Sequence, residues 1–214
     1  VTRISNEHSY LLSAASAELR DLDHLMQQVQ SGEQVEILNT TEERGVIVLA
    51  GPKARDVLGG LTEASLENAD FPWRTAQQIE IAGIPTLALR INYVGELGWE
   101  LHPATADLPA LYEAVWAAGE AHGIADFGLY AMNSLRMEKG YRGWGAELTN
   151  EVTMLEADMA RFYASAKEDF VGKAANETNE AGPLRLVYFE VEAQDADVRG
   201  GEPIFFGDTC VGVT

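Results

Sequence analysis

Residues 90–102, RINYVGELGWELH, restrict the fold of this chain more than any other stretch. In an uninterrupted strand, Tyr93 and Glu100 stand an odd number of positions apart and point to opposite faces. Gly95 and Gly98 permit a hairpin or bulged bend, which can return Glu100 alongside Tyr93. Such a bend sets a carboxylate beside an aromatic floor. A carboxylate accepts two parallel hydrogen bonds from any fork of N–H donors. An arginine is one fork; the N–H and amino edge of a guanidine-like heterocycle, its rings packed by aromatic side chains, is another. A glycine-rich turn whose glutamate is solvated, or paired with a local arginine such as Arg90, also satisfies the pattern.

The pattern around this stretch is that of an α+β chain. Residues 8–13 read as a short strand. Residues 16–32 set Leu19, Leu22, Leu25, Met26 and Val29 on one helical face, with Ser16 as N-cap and Gly32 as stop. Strand-like runs follow at 35–39 and 45–51, then a short helix opened by Pro52. A second set of strands spans 77–83, 84–93 and 99–104, with a turn at Gly83-Ile84-Pro85. The amphipathic pattern of 107–123 predicts a helix through Leu108, Leu111, Tyr112, Val115 and Trp116, and Asp126 is placed to cap the next helix, which ends at Gly140. A glycine- and aromatic-rich loop (140–148) and a short helix within KEDFVGKAA (167–175) come next. The polar run 176–183 reads as a linker. Beyond it, 184–193, 202–207 and 209–214 read as strands that begin a barrel or sandwich.

Composition narrows the functional classes. A formal net charge of -19 repels phosphate backbones and anionic lipid, so neither nucleic acid nor membrane is an expected partner. No apolar run approaches the ~20 residues of a membrane span. The single cysteine, Cys210, cannot form an intramolecular disulfide or a thiolate zinc cage, and fits a reducing compartment. His8, His24, His102 and His122 are scattered without metal-ligand spacing, so no metal is expected. Nucleotide-binding and hydrolase signatures are missing.

Arg136 sits mid-helix among apolar residues. It is either an exposed or snorkelling arginine, paired with a nearby glutamate, or a basic group presented from a rigid helix to an anionic or carbonyl-bearing ligand. Tyr141, Arg142 and Trp144 either line one wall of the same pocket or form a packed loop.

Taken together, the blocks 90–101, 127–148, ADMARF and KEDFVGKAA, with GPKARDVL at 51–58, resemble the aminomethyltransferase (glycine cleavage T-protein) family. Their wording is most similar to the C-terminal folate-binding part of dimethylglycine and sarcosine dehydrogenases. The resemblance implies antiparallel sheets with flanking helices in a three-part, cloverleaf-like arrangement. It implies an incomplete α+β subdomain at 1–68, a folate-binding α+β subdomain at 69–178, and the beginning of a β-barrel at 179–214. It further implies a tetrahydrofolate site that receives a one-carbon unit from an N-methylglycine-type amine. The family's pterin-holding residues fall on Tyr93, Glu100 and Arg136, with Trp144 near its aromatic wall; no catalytic residue is assigned. The family's functional aspartate would precede Val1, FAD would belong to a dehydrogenase domain of the same longer chain, and the chain is expected to be a fragment inactive alone. The expected compartment is the cytoplasm, or the mitochondrial matrix in a eukaryote. A non-catalytic scaffold or folate-sensing domain of the same fold is the alternative.

Overall fold

A computed structural model describes residues 1–178, 182, 184–196 and 198–214. They form two compact units, Val1–Tyr141 and Arg142–Thr214. The boundary between these units, at 141/142, does not coincide with the expected subdomain bounds at 68/69 and 178/179. One cause is a sheet that crosses residue 68. In it, β3 (Ile47–Ala50) pairs with β6 (Gly98–His102), giving the order β3-β6-β5-β4 with β4 at Ala76–Ile81 and β5 at Ile84–Leu89. All its ladders are antiparallel. Mixed helices and antiparallel sheets are therefore the architecture of this chain.

The first unit is organised by alternation along β6. Trp99 and Leu101 point to one face and are fully buried. There they meet α2 (Ala54–Gly59) and α3 (Leu108–Gly119) through Val57, Leu58, Leu111 and Val115, with Phe71, Ile79 and Ile81 completing the core. Phe71 stands edge-on to Trp99, ring centroids 6.2 Å apart. Each such aliphatic or aromatic side chain stabilises the fold by about 1.5–3 kcal/mol on burial. The opposite face carries Glu100 and His102. It is also closed at His102, where Tyr10 stands edge-on to the imidazole at 5.6 Å. Tyr10 belongs to a small N-terminal pair, β1 (Thr2–Arg3) and β2 (Ser9–Tyr10).

At Gly98 the backbone of β6 lies tight against that of β3. A Cβ there would lie 2.9 Å from the Ala50 Cα and closer still to the Leu49 carbonyl oxygen. Backbone cannot give way as a flexible side chain can, so this position is restricted to glycine by packing.

Several local expectations differ from the structure. Helix α1 (Glu18–Gln28) starts after a short 3-10 turn that contains Ser16, and no side chain caps it. Leu22 and Leu25 on its apolar face are half-buried, while Leu19 and Met26 are exposed. Residues 35–39 and 184–193 form no ladder among the described residues, because alternation alone makes no strand without a partner edge. Helix α4 (Leu129–Glu138) has Gly128 at its N-cap, and Asp126 instead accepts a hydrogen bond from the Tyr112 hydroxyl at 2.9 Å.

In the second unit, Arg142 is the internal strut. Its side chain is 5% exposed and pairs with Asp158, and its Nε donates to the Ala157 carbonyl. Helix α5 (Lys173–Thr178) begins with a lysine whose Nζ donates to the carbonyls of Lys167 and Glu168. Half of the linker expected at 176–183, residues 179–181 and 183, lies outside the described residues, and 176–178 belong to α5. At the end of the unit β7 (Pro203–Phe206) and β8 (Thr209–Val213) form a hairpin turned at Gly207, where φ is +60°. Glu202 clasps the open end of this hairpin. Its carboxylate accepts from the Thr214 hydroxyl and from the amides of Arg199 and Gly200, which pulls its pKa down to about 2. Among the described residues no helix is long and apolar enough to cross a membrane.

Two outcomes follow from these contacts. Gly98→Ala lowers stability by about 1–3 kcal/mol in urea unfolding, while Gly59→Ala, with open space around its Cβ, has little effect. A carboxyl held below its unfolded value of roughly 4.3 stabilises the hairpin above that pH, and the stabilisation is lost as pH falls through about 2. The Gly200 amide resonance is therefore steady down to about pH 4 and moves as the clasp opens between there and about pH 2; a midpoint at the ordinary glutamate value contradicts the clasp.

Candidate functional site

The connection between β5 and β6 is a wide hairpin loop rather than a tight turn. The ladder between the two strands ends at Leu89↔Glu100, which leaves Tyr93 in the loop and Glu100 at its base, in the sheet. Asn92 builds the bend. Its Oδ1 accepts from the amides of Val94 at 3.0 Å and Gly95 at 2.9 Å, and its Nδ2 donates to the Glu96 carbonyl at 2.7 Å. Gly95 takes a φ of +74°, a conformation that glycine adopts without a Cβ penalty. Beyond the bend, the Gly51 amide donates to the Leu97 carbonyl at 2.8 Å and ties the loop to the end of β3.

This bend docks on the C-terminal end of α4. The Tyr93 ring stacks on Tyr141 with centroids 6.1 Å apart and an interplanar angle of 17°. Lys139 lies against Gly95 and reaches Glu96 at 3.8 Å. Arg136, on the last turn of α4, is only 5% exposed. Its Nε donates to Asn133 Oδ1 at 2.9 Å and its Nη1 to the Tyr141 carbonyl at 3.0 Å. A positive group on the last helical turn also complements the partial negative charge of the helix C-terminus. Arg136 is thus neither exposed nor snorkelling: it fixes the turn that carries Tyr141, and Tyr141 backs Tyr93.

Glu100 belongs to a second group. It lies in a row with Val48 and Leu89 on the neighbouring strands, and its side chain is 19% exposed. Its Oε2 is 3.5 Å from Nε2 of His102, two residues along the same strand and wholly buried. The distance suits an ion pair, but the geometry makes no hydrogen bond, and Nε2 is a buried nitrogen without one. Nδ1 of His102 lies 3.3 Å from the Tyr10 hydroxyl. Burial raises the pKa of that phenol, with Arg44 pulling it down and Glu100 pushing it up, so Tyr10 keeps its proton. Arg90 is not the partner of Glu100. It is buried on the Trp99 side, 5.7 Å from the centre of the indole, and donates to the Phe71 carbonyl and to Asn68 Oδ1. Among the described residues no arginine or lysine forms an ion pair with Glu100.

The structure therefore brings Tyr93 and Arg136 together through Tyr141, and sets Glu100 with His102 and Tyr10. No hydrogen bond or ring contact joins Tyr93 to Glu100, because the loop ends before the ladder begins. Trp144 lies in the second unit, 52% exposed, in a small loop where it bridges to Leu148. Arg142 is a strut within that unit, paired with Asp158. Sequence reasoning passed over Asn92, His102 and Tyr10. The i, i+2 spacing of Glu100 and His102 was a usable signal, since it places both on one face of any strand. The approach of Tyr10 from far away in the chain carries no local signal.

A family model described as the GCVT N-terminal domain matches residues 1–167. This chain belongs to that family. Among relatives of the GCVT chain, human mitochondrial dimethylglycine dehydrogenase is 41% identical over 95% of the chain and 24% of the relative. Mouse mitochondrial sarcosine dehydrogenase is 36% identical, over 95% and 22%. An aminomethyltransferase of Corynebacterium aurimucosum is 35% identical over 85% of the chain and 50% of its own length. The GCVT chain thus spans about a quarter of the length of the dimethylglycine dehydrogenases it matches. A solved heterotetrameric sarcosine oxidase from Corynebacterium sp. U-96, in complex with pyrrole 2-carboxylate, aligns at a TM-score of 0.43 and 26% identity, covering 50% of this chain and 53% of that one.

Removing the Asn92 side chain tests the construction of the bend. Asn92→Ala speeds hydrogen exchange at the Val94 and Gly95 amides by at least about ten-fold, as expected for loss of ordinary hydrogen bonds. Asn92→Asp keeps the acceptor and most of the protection. Unchanged exchange in the alanine variant would show that the bend is held by something else.

Proposed function

We propose that this chain is a tetrahydrofolate-binding, aminomethyltransferase-like module, in which a one-carbon unit from an N-methylglycine-type amine passes to tetrahydrofolate. The observation that carries the reading is the state of Glu100. A partly exposed carboxylate is held in an apolar row, and among the described residues no arginine or lysine pairs with it. A guanidine-like heterocycle edge offers the N–H fork that the protein withholds, and the reduced pterin ring presents such an edge. The residues fit a planar ligand of this kind: a carboxylate for the N–H fork, and a tyrosine backed by a second tyrosine for the ring.

Each residue then has a separate task. Glu100 accepts from the heterocycle and sets its orientation. Tyr93 packs the ring and helps exclude water, and Tyr141 limits its rotation. Arg136 acts at one remove by holding Tyr141, which differs from the direct ligand contact that the resemblance implies. The assignment of Trp144 to the site rests on the resemblance alone. Bound folate supplies the nucleophilic nitrogen for the one-carbon unit. The names of the long relatives support dimethylglycine or sarcosine as the amine. In this reading, the oxidised amine is delivered by a flavin-dependent dehydrogenase domain of the same longer chain, in the mitochondrial matrix of a eukaryote or in bacterial cytoplasm.

Calorimetric titration with 5-formyltetrahydrofolate tests the proposal. The expected result is one-to-one binding that weakens at least about ten-fold in Glu100→Gln, which keeps the shape and removes the charge, with the melting temperature nearly unchanged. Equal binding by Glu100→Gln removes Glu100 from the site. A wild-type chain that binds no reduced folate overturns the proposal and leaves a scaffold of the same fold.

A further inference from the structure

The pairing of His102 with Glu100 extends the proposed function and rests on it for its consequence, though not for its geometry. A fully buried histidine at the end of an interior strand is costly unless its nitrogens are matched, because a buried polar atom without a partner forfeits the hydrogen bond it makes in water. Here the two ring nitrogens face different groups. Nδ1 meets the Tyr10 hydroxyl at 3.3 Å, and Nε2 faces the Glu100 carboxylate at 3.5 Å without completing a hydrogen bond. The charged and titratable groups around the ring are Tyr10 from β2, Glu100 from β6 itself, and Arg44, whose Nη1 donates to the His102 carbonyl at 3.4 Å. The β5 partner opposite His102 is Leu87, which offers nothing polar from its side chain. Tyr10 keeps its proton and can donate it to Nδ1. That leaves the ring hydrogen on Nε2, the nitrogen 3.5 Å from the carboxylate.

We propose that His102, oriented by Tyr10, is a positioning residue for Glu100: its Nε2–H holds one carboxylate oxygen, so that the other is presented to the N–H edge of the ligand. The gap of 3.5 Å is one that a small movement of the partly exposed glutamate closes, while the buried imidazole stays fixed. The arrangement selects one glutamate orientation in advance and thereby lowers the ordering cost of binding. It also makes the free chain's own hydrogen-bond state readable, whether or not folate binds.

The test combines two readouts on the full chain. Nitrogen-15 spectra of the histidine ring are expected to show His102 with hydrogen on Nε2 and an accepting Nδ1. The Nε2 signal shifts in Glu100→Gln and the Nδ1 signal shifts in Tyr10→Phe. A ring with its hydrogen on Nδ1, or an Nε2 signal indifferent to Glu100→Gln, overturns the pairing even if folate binds well. The second readout is affinity for 5-formyltetrahydrofolate. His102→Phe is expected to weaken it about ten-fold, and His102→Gln, whose amide N–H reaches towards the Nε2 position, to restore most of the loss. In the Glu100→Gln background the His102→Phe change adds nothing further, because the two residues act as one unit. Full affinity in His102→Phe overturns the positioning role. If no variant and no wild-type chain binds folate while the ring signals respond as stated, the folate reading fails and the pairing stands. Should His102→Phe not fold, His102→Gln and Tyr10→Phe carry the same comparison.

Discussion

The backbone pairing of β6 between β3 and β5 governs most of what this chain does with its side chains. A strand in that position has both edges saturated and little freedom to slip, since a shift of one residue would drive Glu100 and His102 into the core and expel Trp99 and Leu101. Its alternation therefore fixes two environments at once. One face supplies the apolar core under α2 and α3. The other holds a carboxylate and an imidazole, side by side, in a wall that is otherwise largely aliphatic.

The loop before β6 is constrained from both ends. Asn92 satisfies the backbone of the bend internally, Leu97 is tied to Gly51, and the Tyr93–Tyr141 stack joins the loop to the end of α4. Arg136 completes the arrangement by binding the Tyr141 carbonyl. A buried arginine is expensive to desolvate, and here its Nε donates to the Asn133 side chain and its Nη1 to the Tyr141 carbonyl. Its charge serves the geometry of the turn. In the proposed reading, recognition rests on Glu100, a group positioned by the sheet, and on Tyr93, a group positioned by the loop. Rigid placement of a recognition group by regular structure, with adaptable packing from a loop, is a sound basis for binding a planar ligand.

The sequence made these features legible to different degrees. The helix at 108–119 and the strands at 47–50, 76–81 and 84–89 follow from periodicity and from turn residues, signals that are local and strong. The glycine pattern at 95 and 98 announced a special bend but not its shape. Gly95 is needed for a positive φ, whereas Gly98 is needed because a neighbouring backbone lies against it, and the letters alone do not separate these causes. Residues 35–39 and 184–193 have strand-like alternation and no ladder among the described residues, which shows how far strand formation depends on a partner. The bond from Arg136 to the Tyr141 carbonyl was not legible, because carbonyls leave no mark in sequence. Tyr10 and His102 are 92 positions apart, so their meeting is a product of topology alone.

The central claim is that the carboxylate of β6, without an arginine or lysine partner among the described residues, is the recognition point for a flat heterocycle. A crystal structure of the chain with 5-formyltetrahydrofolate addresses it most directly. The account predicts the pteridine against Tyr93, its amino and N–H edge within hydrogen-bond distance of Glu100, and His102 Nε2 closed onto the remaining carboxylate oxygen. A pteridine lodged away from residues 92–102, or Glu100 turned onto a lysine or arginine of the chain, would contradict it.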